Sequence, residues 1–477
     1  MKKNKLLVSI LLLGLIVRLI NLNQSLWLDE AINVVYARAN DFWWFVTKYP
    51  IGDFHPAGWF TILWIAGHLF GWSEVSVRLP SVIFGVTTVY ITYLICKEIF
   101  SKKIGLIAAL MLSIAPLHIY YSQEARMYAL STFTVTLSVY SFILFMVNRK
   151  YSMLMFVVTS ILVLYSDYVA YFIFPCQFIY ILFWRKDMIK KYIYSLCITT
   201  LFFIPWLFIL PEQLISGQKT AMIIPGWKEV VGSSSIKELF LLVIKTIIGR
   251  ISFNNSMYYY IFISVIAAPL LIALLKINKS LNKNSYLILC WLIISPLLSW
   301  LFSLLIPVFS YFRLLYVVPA FYILVALSLS KFTTIYFKII LGLIILTEIV
   351  ASGLYLFNDQ YHRENWQDAS SLGRLNNTVV IFEDDTVPAP YVYYNSTISD
   401  SFPGLKKKPA KSIDDVSELQ VELLNKRNVL LFNYLVEITD PQKYVEQKLI
   451  KLGYKKISTF NYQGVGFVFL FSRNLNQ

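Results

Sequence analysis

The sequence predicts a polytopic α-helical membrane protein with about eleven transmembrane helices and a small C-terminal α/β domain. Of its 477 residues, 57% are hydrophobic and 14% are charged, whereas ordinary soluble domains carry about 25% charged residues. The mean hydropathy is +0.62, and apolar stretches of about 20 residues, the length that crosses a bilayer, recur along the chain. This composition excludes a disordered chain, a coiled coil and a simple cytosolic enzyme.

The net charge of +15 is unevenly distributed. Residues 1–357 hold 28 Lys and Arg against 13 Asp and Glu, and residues 358–477 hold 14 of each class. The excess therefore lies between the apolar segments, as the enrichment of basic residues on the cytoplasmic side of membrane proteins requires. We expect the membrane, and no nucleic acid, as the partner of these basic residues.

The basic clusters give the topology. The first cluster precedes an apolar run that reaches Ile20 with no signal-peptide cleavage site, so it predicts a cytoplasmic N-terminus and an uncleaved first span. The clusters on the cytoplasmic side are Lys2/Lys3/Lys5, Lys97/Lys102/Lys103, Arg149/Lys150, Arg185/Lys186/Lys190/Lys191, Lys276/Lys279/Lys283 and Lys331/Lys338. The spans predicted between them are 6–22, 80–100, 104–120, 126–147, 153–167, 168–184, 192–210, 258–275, 285–305, 312–330 and 336–356.

Two further apolar segments are predicted to lie at the outer surface. Residues 56–72 are apolar enough to span, but a span there would invert every later basic cluster. We therefore expect an interfacial helix within an outer loop, residues 23–79. Charged residues interrupt 236–250, which receives the same interpretation. Ten of the 13 acidic residues of 1–357 then fall outside, which predicts a site at the outer face of the plasma membrane.

Residues 358–477 have the composition of a small α/β domain. An odd number of spans places this domain outside the cell. No CxxC motif occurs, so neither a zinc site nor a disulfide framework is predicted. The expected strands are Thr378–Phe382, Asn428–Tyr434 and Gly464–Phe471, and the expected helices are Ile413–Leu424 and Pro441–Leu452.

The acidic pair Asp29 and Glu30 follows the first span directly. Carboxylates beside hydrocarbon are costly unless they are paired, metal-bound or hydrated. Such a carboxylate suits a general base that deprotonates an acceptor hydroxyl. The alternative is an acidic pair that complements the dipole of a helix N-terminus.

Other outer loops add candidates, each with a structural alternative. Asp53 and His55 suit a metal or a phosphate, or else simply precede a helix that Pro56 begins. Glu124 and Arg126 lie on the same side as Asp29, or form an ion pair within an aromatic belt. Asp167 is a lone carboxylate between two spans, or a charged turn.

Two arginines lie near the outer ends of predicted spans. Arg313 and Arg18 either reach lipid headgroups from the helix or bind a substrate phosphate through two parallel hydrogen bonds. The chain has no GxGxxG, P-loop or HExxH motif. An activated donor is therefore expected to be a lipid.

Together these motifs resemble the GT-C glycosyltransferases of family 39, a broad group that includes protein O-mannosyltransferases and the aminoarabinose transferases of lipid A. The resemblance runs from Arg18 to about Trp366. The segments that carry it are Leu26–Ala31, His55-Pro56, Ser73–Ser81, Tyr120–Leu130, Tyr311–Leu315 and Arg363–Trp366.

The resemblance implies an inverting transfer of a sugar from a polyprenyl-phosphate donor to a lipid, glycan or protein acceptor on the outer face. It implies Asp29 as the catalytic base, with Glu30 and Glu124 as further carboxylates, and Arg313, Arg126 and Arg18 as ligands of the donor phosphate. Asp53, His55, Asp167 and Tyr128 are candidates for binding substrate or a metal. The family often has His-Pro-Pro and Tyr-x-His-Tyr where this chain has His55-Pro56-Ala57 and Tyr165-Ser166-Asp167-Tyr168, so the need for a divalent metal ion stays open.

Three other classes remain. A lipid or polysaccharide transporter or flippase would also have many spans, but transporters usually place charges near the middle of the bilayer and contain inverted repeats. A polysaccharide polymerase would use a diphosphate-linked donor. A scaffold would use the outer α/β domain to bind a partner.

Overall fold

The computed structural model describes residues 2–223, 232, 235–374, 378–395, 400–424 and 426–474. Glu229, one of the acidic residues assigned to the outer side, lies outside these residues. The chain folds into a helical region, residues 2–357, followed by a small sheet with short helices. The helices of the first region are α1 Lys2–Leu19, α2 Leu28–Ala39, α3 Phe42–Thr47, α4 Pro50–Asp53, α5 Ala57–Phe70, α6 Glu74–Ile99, α7 Lys102–Ile114, α8 Pro116–Ser122, α9 Tyr128–Met146, α10 Ser152–Ser166, α11 Ile173–Trp184, α12 Ile189–Leu207, α13 Leu210–Ile223, α14 Ile236–Ile248, α15 Ser256–Leu274, α16 Lys283–Leu289, α17 Ser295–Phe302, α18 Val318–Leu329 and α19 Thr334–Phe357.

Within the described residues, five helical segments are long and apolar enough to cross a membrane. Two bent helix pairs raise that number to seven if each pair is one span. The five are Glu74–Ile99, Tyr128–Met146, Ser256–Leu274, Lys283–Phe302 and Thr334–Phe357, and the pairs are Lys102–Ile114 with Pro116–Ser122 and Lys186–Leu207 with Leu210–Thr220. Each of the seven overlaps a predicted span, although Leu210–Thr220 extends beyond the predicted span 192–210.

The predicted number of eleven spans is not confirmed by length and composition. Three of the remaining predicted spans correspond to shorter apolar helices, Ser152–Ser166, Tyr168–Trp184 and Leu315–Leu329. The first predicted span is helix α1, whose 18 residues include basic residues at its beginning and Arg18 at its end.

Helix α5 coincides with the segment predicted to be interfacial. Its 14 residues extend about 21 Å at 1.5 Å per residue, which is less than the roughly 30 Å of a bilayer core. Trp59, Phe60 and Leu63 are almost fully buried against the rest of the helical region.

A sharp bend separates α7 from α8 and brings the following turn towards the site. The two helices meet at 63° because Pro116 begins α8 and has no amide N–H to continue the α7 hydrogen-bond pattern. Gly85 of α6 permits the close approach of α8, since a Cβ at this position would lie 2.2 Å from Ser122 Oγ.

The C-terminal part forms a five-stranded mixed sheet in the order β2-β1-β3-β5-β4. Strand β1 pairs in parallel with β2 and β3, and β5 pairs antiparallel with β3 and β4. The strands are β1 Thr378–Phe382, β2 Ser401–Pro403, β3 Asn428–Asn433, β4 Lys455–Tyr462 and β5 Gly466–Ser472. The helices are α20 Trp366–Ser371, α21 Ala389–Tyr394, α22 Leu419–Glu422, α23 Val436–Thr439 and α24 Tyr444–Lys451.

Separate apolar clusters cover the two faces of this sheet. Val379, Ile381 and Leu431 lie in one cluster, and Val380 and Phe382 lie in the other. Strands β1, β3 and β5 agree with the sequence prediction to within two residues at their ends. Strands β2 and β4 were not predicted.

The loops that carry the candidate site residues converge at one end of the helical region. Gln123, in the turn after α8, donates hydrogen bonds to the carbonyl oxygens of Arg18 and Ile20 at the end of α1, at 3.1 and 2.6 Å. Two basic clusters meet elsewhere, where Lys191 Nζ donates to Asn148 Oδ1 at 3.1 Å and Arg149 pairs with Glu98 at 3.0 Å.

Candidate functional site

Asp29 and Glu30 point in different directions although they are neighbours in the sequence. Successive residues of a helix are separated by about 100° around its axis, and both residues lie in the first turn of α2. The side chain of Glu30 is fully buried, whereas that of Asp29 is 31% exposed. The helix therefore directs the Glu30 carboxylate into the protein and the Asp29 carboxylate towards the surface.

Glu30 is bound on both carboxylate oxygens by Arg78 of α6. Arg78 Nε donates to Oε1 at 2.8 Å and Nη2 donates to Oε2 at 2.5 Å, and both side chains are fully buried. The amide of Ala125 also donates to Oε1 at 2.6 Å. Burial alone would raise the pKa of Glu30, but Arg78 outweighs it and the pKa is lowered. This carboxylate stays ionised and its oxygens are occupied by protein donors.

Glu124 forms a second buried pair, with Arg363 beyond the last predicted span. The Nη2 atom of Arg363 lies 3.4 Å from Glu124 Oε2, and each side chain is 1% exposed. Glu124 Oε1 has no hydrogen-bond partner among the described residues. Burial raises the pKa of Glu124 to about 7, although Arg363 opposes that shift. Sequence reasoning selected Glu124 and did not anticipate its partner.

A chain of polar contacts connects Asp29 to Asp53 and His55. Arg126 Nη1 donates to Asp53 Oδ2 at 3.0 Å, and Arg126 Nη2 lies 3.7 Å from Asp29 Oδ2. His55 Nδ1 is 2.6 Å from Asp53 Oδ1, and the Tyr49 hydroxyl donates to Asp53 Oδ2 at 3.3 Å. The structure thus brings three predicted site residues, Asp29, Asp53 and His55, together around the guanidinium of a fourth, Arg126.

The two aspartates beside Arg126 have opposite pKa shifts. Burial raises the pKa of Asp29, and Arg126 reduces that increase without cancelling it. Burial would also raise the pKa of Asp53, but Arg126 and His55 together outweigh it and hold the pKa below its usual range. Carboxylates whose surroundings separate their pKa values commonly have different roles in catalysis.

Arg313 and Tyr128 lie near Asp29. Arg313 is partly buried, and its Nε has no hydrogen-bond partner in the described part of the chain. Its charge acts on both Asp29 and Tyr128. The ring of Tyr128 packs edge-on against Phe312, with centroids 5.4 Å apart. Tyr128 therefore belongs to the aromatic wall beside Arg313.

Arg250 is a further cation near these loops that sequence reasoning did not select. It is exposed, its guanidinium lies 5.2 Å from the centre of the Tyr120 ring, and its Nη1 donates to the Tyr120 hydroxyl at 3.3 Å. A basic residue in a loop after an amphipathic helix has no distinguishing sequence pattern, so only the fold identifies it.

Arg18 and Asp167 are bound by other groups of the protein instead. Arg18 is fully buried, and its guanidinium donates to the carbonyl oxygens of Gly14, Ser113 and Leu112 and lies 2.6 Å from His118 Nδ1. The Leu112 carbonyl lacks its normal helical donor because residue 116 is proline. These contacts favour a structural role for Arg18. Asp167 accepts a hydrogen bond from the amide of Val169 at 2.9 Å, within its own turn.

Metal binding at the predicted positions stays a prediction. Among the described residues, no group of three or more His, Cys, Asp and Glu side chains is arranged to hold a metal ion. Asp29 and Asp53 are both paired with Arg126. A divalent cation between these two carboxylates would therefore have to displace the guanidinium.

Comparison with known proteins connects this site to one fold. The sequence model of the dolichyl-phosphate-mannose-protein mannosyltransferases matches residues 54–209, which include Asp167, Glu124 and Arg126. No curated protein sequence matches the chain.

Two solved structures of ArnT from Cupriavidus metallidurans are similar over nearly their whole length. The apo form has a TM-score of 0.62 at 10% identity and covers 99% of this chain and 98% of that one. The form bound to undecaprenyl phosphate has a TM-score of 0.61 at 9% identity and covers 98% of both chains.

The oligosaccharyltransferase AglB from Archaeoglobus fulgidus, in complex with an inhibitory peptide and a dolichol-phosphate, has a TM-score of 0.54 at 14% identity. The match covers 97% of this chain and 74% of that one. The family match and the shared fold confirm the predicted resemblance to GT-C glycosyltransferases. The similar structures are 9% to 14% identical to this chain, and they establish the shared fold.

We expect Arg78→Ala to destabilise the fold. Removing one partner of a buried ion pair leaves the other charge uncompensated and costs about 3–5 kcal/mol. Thermal unfolding of the detergent-purified protein measures the effect. The control is Arg149→Ala, which removes the pair with Glu98 at a 64% exposed side chain, where a surface pair contributes about 1 kcal/mol at most. Equal unfolding temperatures for the two variants would contradict the structural assignment.

Proposed function

We propose that the chain is a membrane glycosyltransferase that moves a sugar from a polyprenyl-phosphate donor to a hydroxyl-bearing acceptor, with Asp29 as the general base. One observation carries the assignment of the base. Asp29 is the most exposed carboxylate of the cluster at 31%, compared with 12% for Asp53, 1% for Glu124 and 0% for Glu30. It is therefore the carboxylate that an entering hydroxyl group can reach.

In the proposed reaction, the acceptor oxygen attacks the anomeric carbon of the donor sugar. The new carbon–oxygen bond forms on the face opposite the phosphate, so the configuration inverts. The bond between that carbon and the phosphate oxygen breaks, and its electron pair stays on the released polyprenyl phosphate. The acceptor proton passes to Asp29. The raised pKa of Asp29 favours this transfer, because a base is most effective when its pKa approaches the working pH.

Asp53 and His55 are proposed to hold Arg126 against Asp29. Asp53 remains ionised because its pKa is lowered, so its charge keeps the guanidinium in place. Arg126 then limits the rotation of the Asp29 carboxylate. With Nδ1 bound to Asp53, the other ring nitrogen of His55, which has no hydrogen-bond partner among the described residues, is proposed to contact a substrate oxygen.

Arg313 is proposed as the main ligand of the donor phosphate, with Arg250 as a second cation. The leaving phosphate gains negative charge as its bond to the sugar breaks, and fixed donors stabilise such charge strongly in a site sheltered from water. Arg313 is partly buried and its Nε has no protein partner among the described residues, so its hydrogen-bonding capacity is available to a ligand. Arg126 is committed to two aspartates and is the weaker candidate.

The ligands of the similar structures support the proposed donor class. One ArnT structure contains undecaprenyl phosphate, and the AglB structure contains dolichol-phosphate and a peptide. A polyprenyl phosphate is the product that the proposed reaction would release. The acceptor is proposed as a lipid, a glycan or a protein.

The proposed topology has eleven spans in residues 1–357 and an extracytoplasmic domain in 358–477. The N-terminus is cytoplasmic, and the site faces the outer side of the plasma membrane. The contacts of Lys191 with Asn148 and of Arg149 with Glu98 support this arrangement, because they join loops that the proposal assigns to the cytoplasm.

We expect Asp29→Asn to abolish sugar transfer while donor binding persists. The amide keeps the size of the side chain but cannot accept the proton, and loss of a general base costs about 100- to 10,000-fold. Release of polyprenyl phosphate from a defined donor measures turnover. Asp41→Asn in the same outer loop is the matched control, since asparagine also caps the helix that Asp41 begins. Wild-type turnover by Asp29→Asn would exclude Asp29 as the base.

Arg313→Ala is expected to lower turnover by about 100- to 1,000-fold, the usual effect of removing one preorganised donor. Arg313→Lys retains the charge but loses the planar fork, so an intermediate rate is expected. The release assay compares both variants with Arg38→Ala, which removes an exposed arginine at the other end of α2. Unchanged rates in Arg313→Ala would instead indicate an arginine that contacts bulk lipid.

A cysteine or glycosylation tag appended after Gln477 should be modified from the extracytoplasmic side. Eleven spans and a cytoplasmic N-terminus require this result. Accessibility to a membrane-impermeant reagent in intact cells measures it, and a tag placed before Met1 should be protected. Cytoplasmic labelling of the C-terminal tag would mean an even number of spans.

A further inference from the structure

The N-cap residue of helix α2, which carries Asp29, contributes no capping side chain to the first turn. The N-cap residue is Trp27, whose indole has no oxygen to accept a hydrogen bond from the first turn. Helices usually begin at Ser, Thr, Asp or Asn because the first amide groups have no partner within the helix. Within the helix, Glu30 accepts only the Trp27 amide, at 3.5 Å, and the same turn of backbone holds the proposed base.

Glu364 supplies the missing acceptor from a distant part of the sequence. Its Oε2 atom accepts a hydrogen bond at 3.1 Å from the amide of Leu28, which lies 336 residues earlier and directly precedes Asp29. A carboxylate at this position also faces the positive end of the helix dipole. Glu364 therefore provides the acceptor for the first amide of α2.

The Glu364 carboxylate is itself fixed by residues of the C-terminal part. Trp366 Nε1 donates to Oε2 at 2.7 Å, and the Tyr434 hydroxyl donates to Oε1 at 3.0 Å. Trp366 is fully buried and Tyr434, which follows β3, is 4% exposed. Three donors thus converge on one carboxylate, and only the amide of Leu28 comes from the helical region.

The backbone before Glu364 is also anchored. Arg363 Nη2 donates to the carbonyl oxygen of Tyr120 at 3.0 Å, and Nη1 donates to the hydroxyl of Tyr355 at 3.2 Å. The guanidinium lies 4.4 Å from the centre of the Tyr120 ring. Consecutive side chains, Arg363 and Glu364, therefore attach to the Tyr120 turn and to α2 respectively.

We propose that Glu364 is a positioning residue for catalysis, which holds the first turn of α2 and thereby orients the Asp29 carboxylate. The proposal rests on the proposed function of Asp29 and adds a role for the sheet-containing part of the chain. That part acts on the site by holding Glu364 through Trp366 and Tyr434. A displacement of about 1 Å in a reacting group can lower the rate about 100-fold, so loss of this cap is expected to affect turnover.

The test compares Glu364→Ala, Glu364→Gln and Asp359→Asn in the full-length protein. The Ala variant removes the acceptor for the Leu28 amide, whereas the Gln variant retains an oxygen in the same place. Asp359 is the matched control, because its side chain in the same connecting segment is 98% exposed and pairs only with His362 among the described residues.

The release assay should show a kcat about 10- to 100-fold lower in Glu364→Ala, with an unchanged KM for the donor. Glu364→Gln should recover most of the rate, and Asp359→Asn should match the wild type. Hydrogen exchange of a peptide containing residues 28–32 should be faster in the Ala variant than in the wild type and the Gln variant. Tyr434→Phe removes one donor that holds Glu364. Its exchange rate should lie between those of the wild type and Glu364→Ala.

Wild-type kcat and wild-type exchange in Glu364→Ala would overturn the proposal. Equal loss of activity in the Ala and Gln variants, together with a lower unfolding temperature in both, would also overturn it, because it would indicate a general effect on folding. Failure of the proposed function can be distinguished from failure of the positioning role of Glu364, because Asp29→Asn would then turn over normally. In that case the exchange measurement would still test the cap.

Discussion

The buried ion pair between Glu30 and Arg78 is the constraint on which the rest of the site depends. Two charges removed from water must be paired with each other, and this requirement fixes α2 against α6. Because Glu30 also accepts the amide hydrogen of Ala125, the same carboxylate fixes the turn that carries Glu124 and Arg126. With Glu30 committed to these contacts, the geometry of the helix directs Asp29 towards Arg126.

The carboxylates of the site differ in exposure: the buried ones have structural partners, and the most exposed one is the proposed base. Glu30 and Glu124 are paired with Arg78 and Arg363 in the interior, whereas Asp29 lies at the boundary with solvent. Arg126 gives the two aspartates opposite roles, because it holds Asp53 ionised and leaves the pKa of Asp29 raised. The arrangement resembles other acid–base sites in which similar groups differ only through their surroundings.

The sequence predicts those features that depend on local composition. Apolar segments of sufficient length gave the main spans, and the runs of β-branched and aromatic residues gave β1, β3 and β5. Strand β4 was missed because its first residues, Lys455 and Lys456, obscure the alternation. The convergence of Asp29, Asp53, His55 and Arg126 follows from loops assigned to one side of the membrane.

Other features depend on contacts between residues far apart in the sequence. Neighbouring carboxylates have the same local pattern, so only the family resemblance, and neither composition nor spacing, distinguished Asp29 from Glu30. Arg18 satisfies a carbonyl that Pro116 leaves free, and Glu364 caps a helix that begins 336 residues earlier.

The measurement that tests the central claim most directly is the pH dependence of kcat in the wild type and in Glu124→Gln. If Asp29 is the base, the acidic limb of the profile persists in Glu124→Gln, because the group that must lose its proton is unchanged. Loss of that limb in Glu124→Gln would contradict the account and identify Glu124, whose pKa is raised to about 7, as the base.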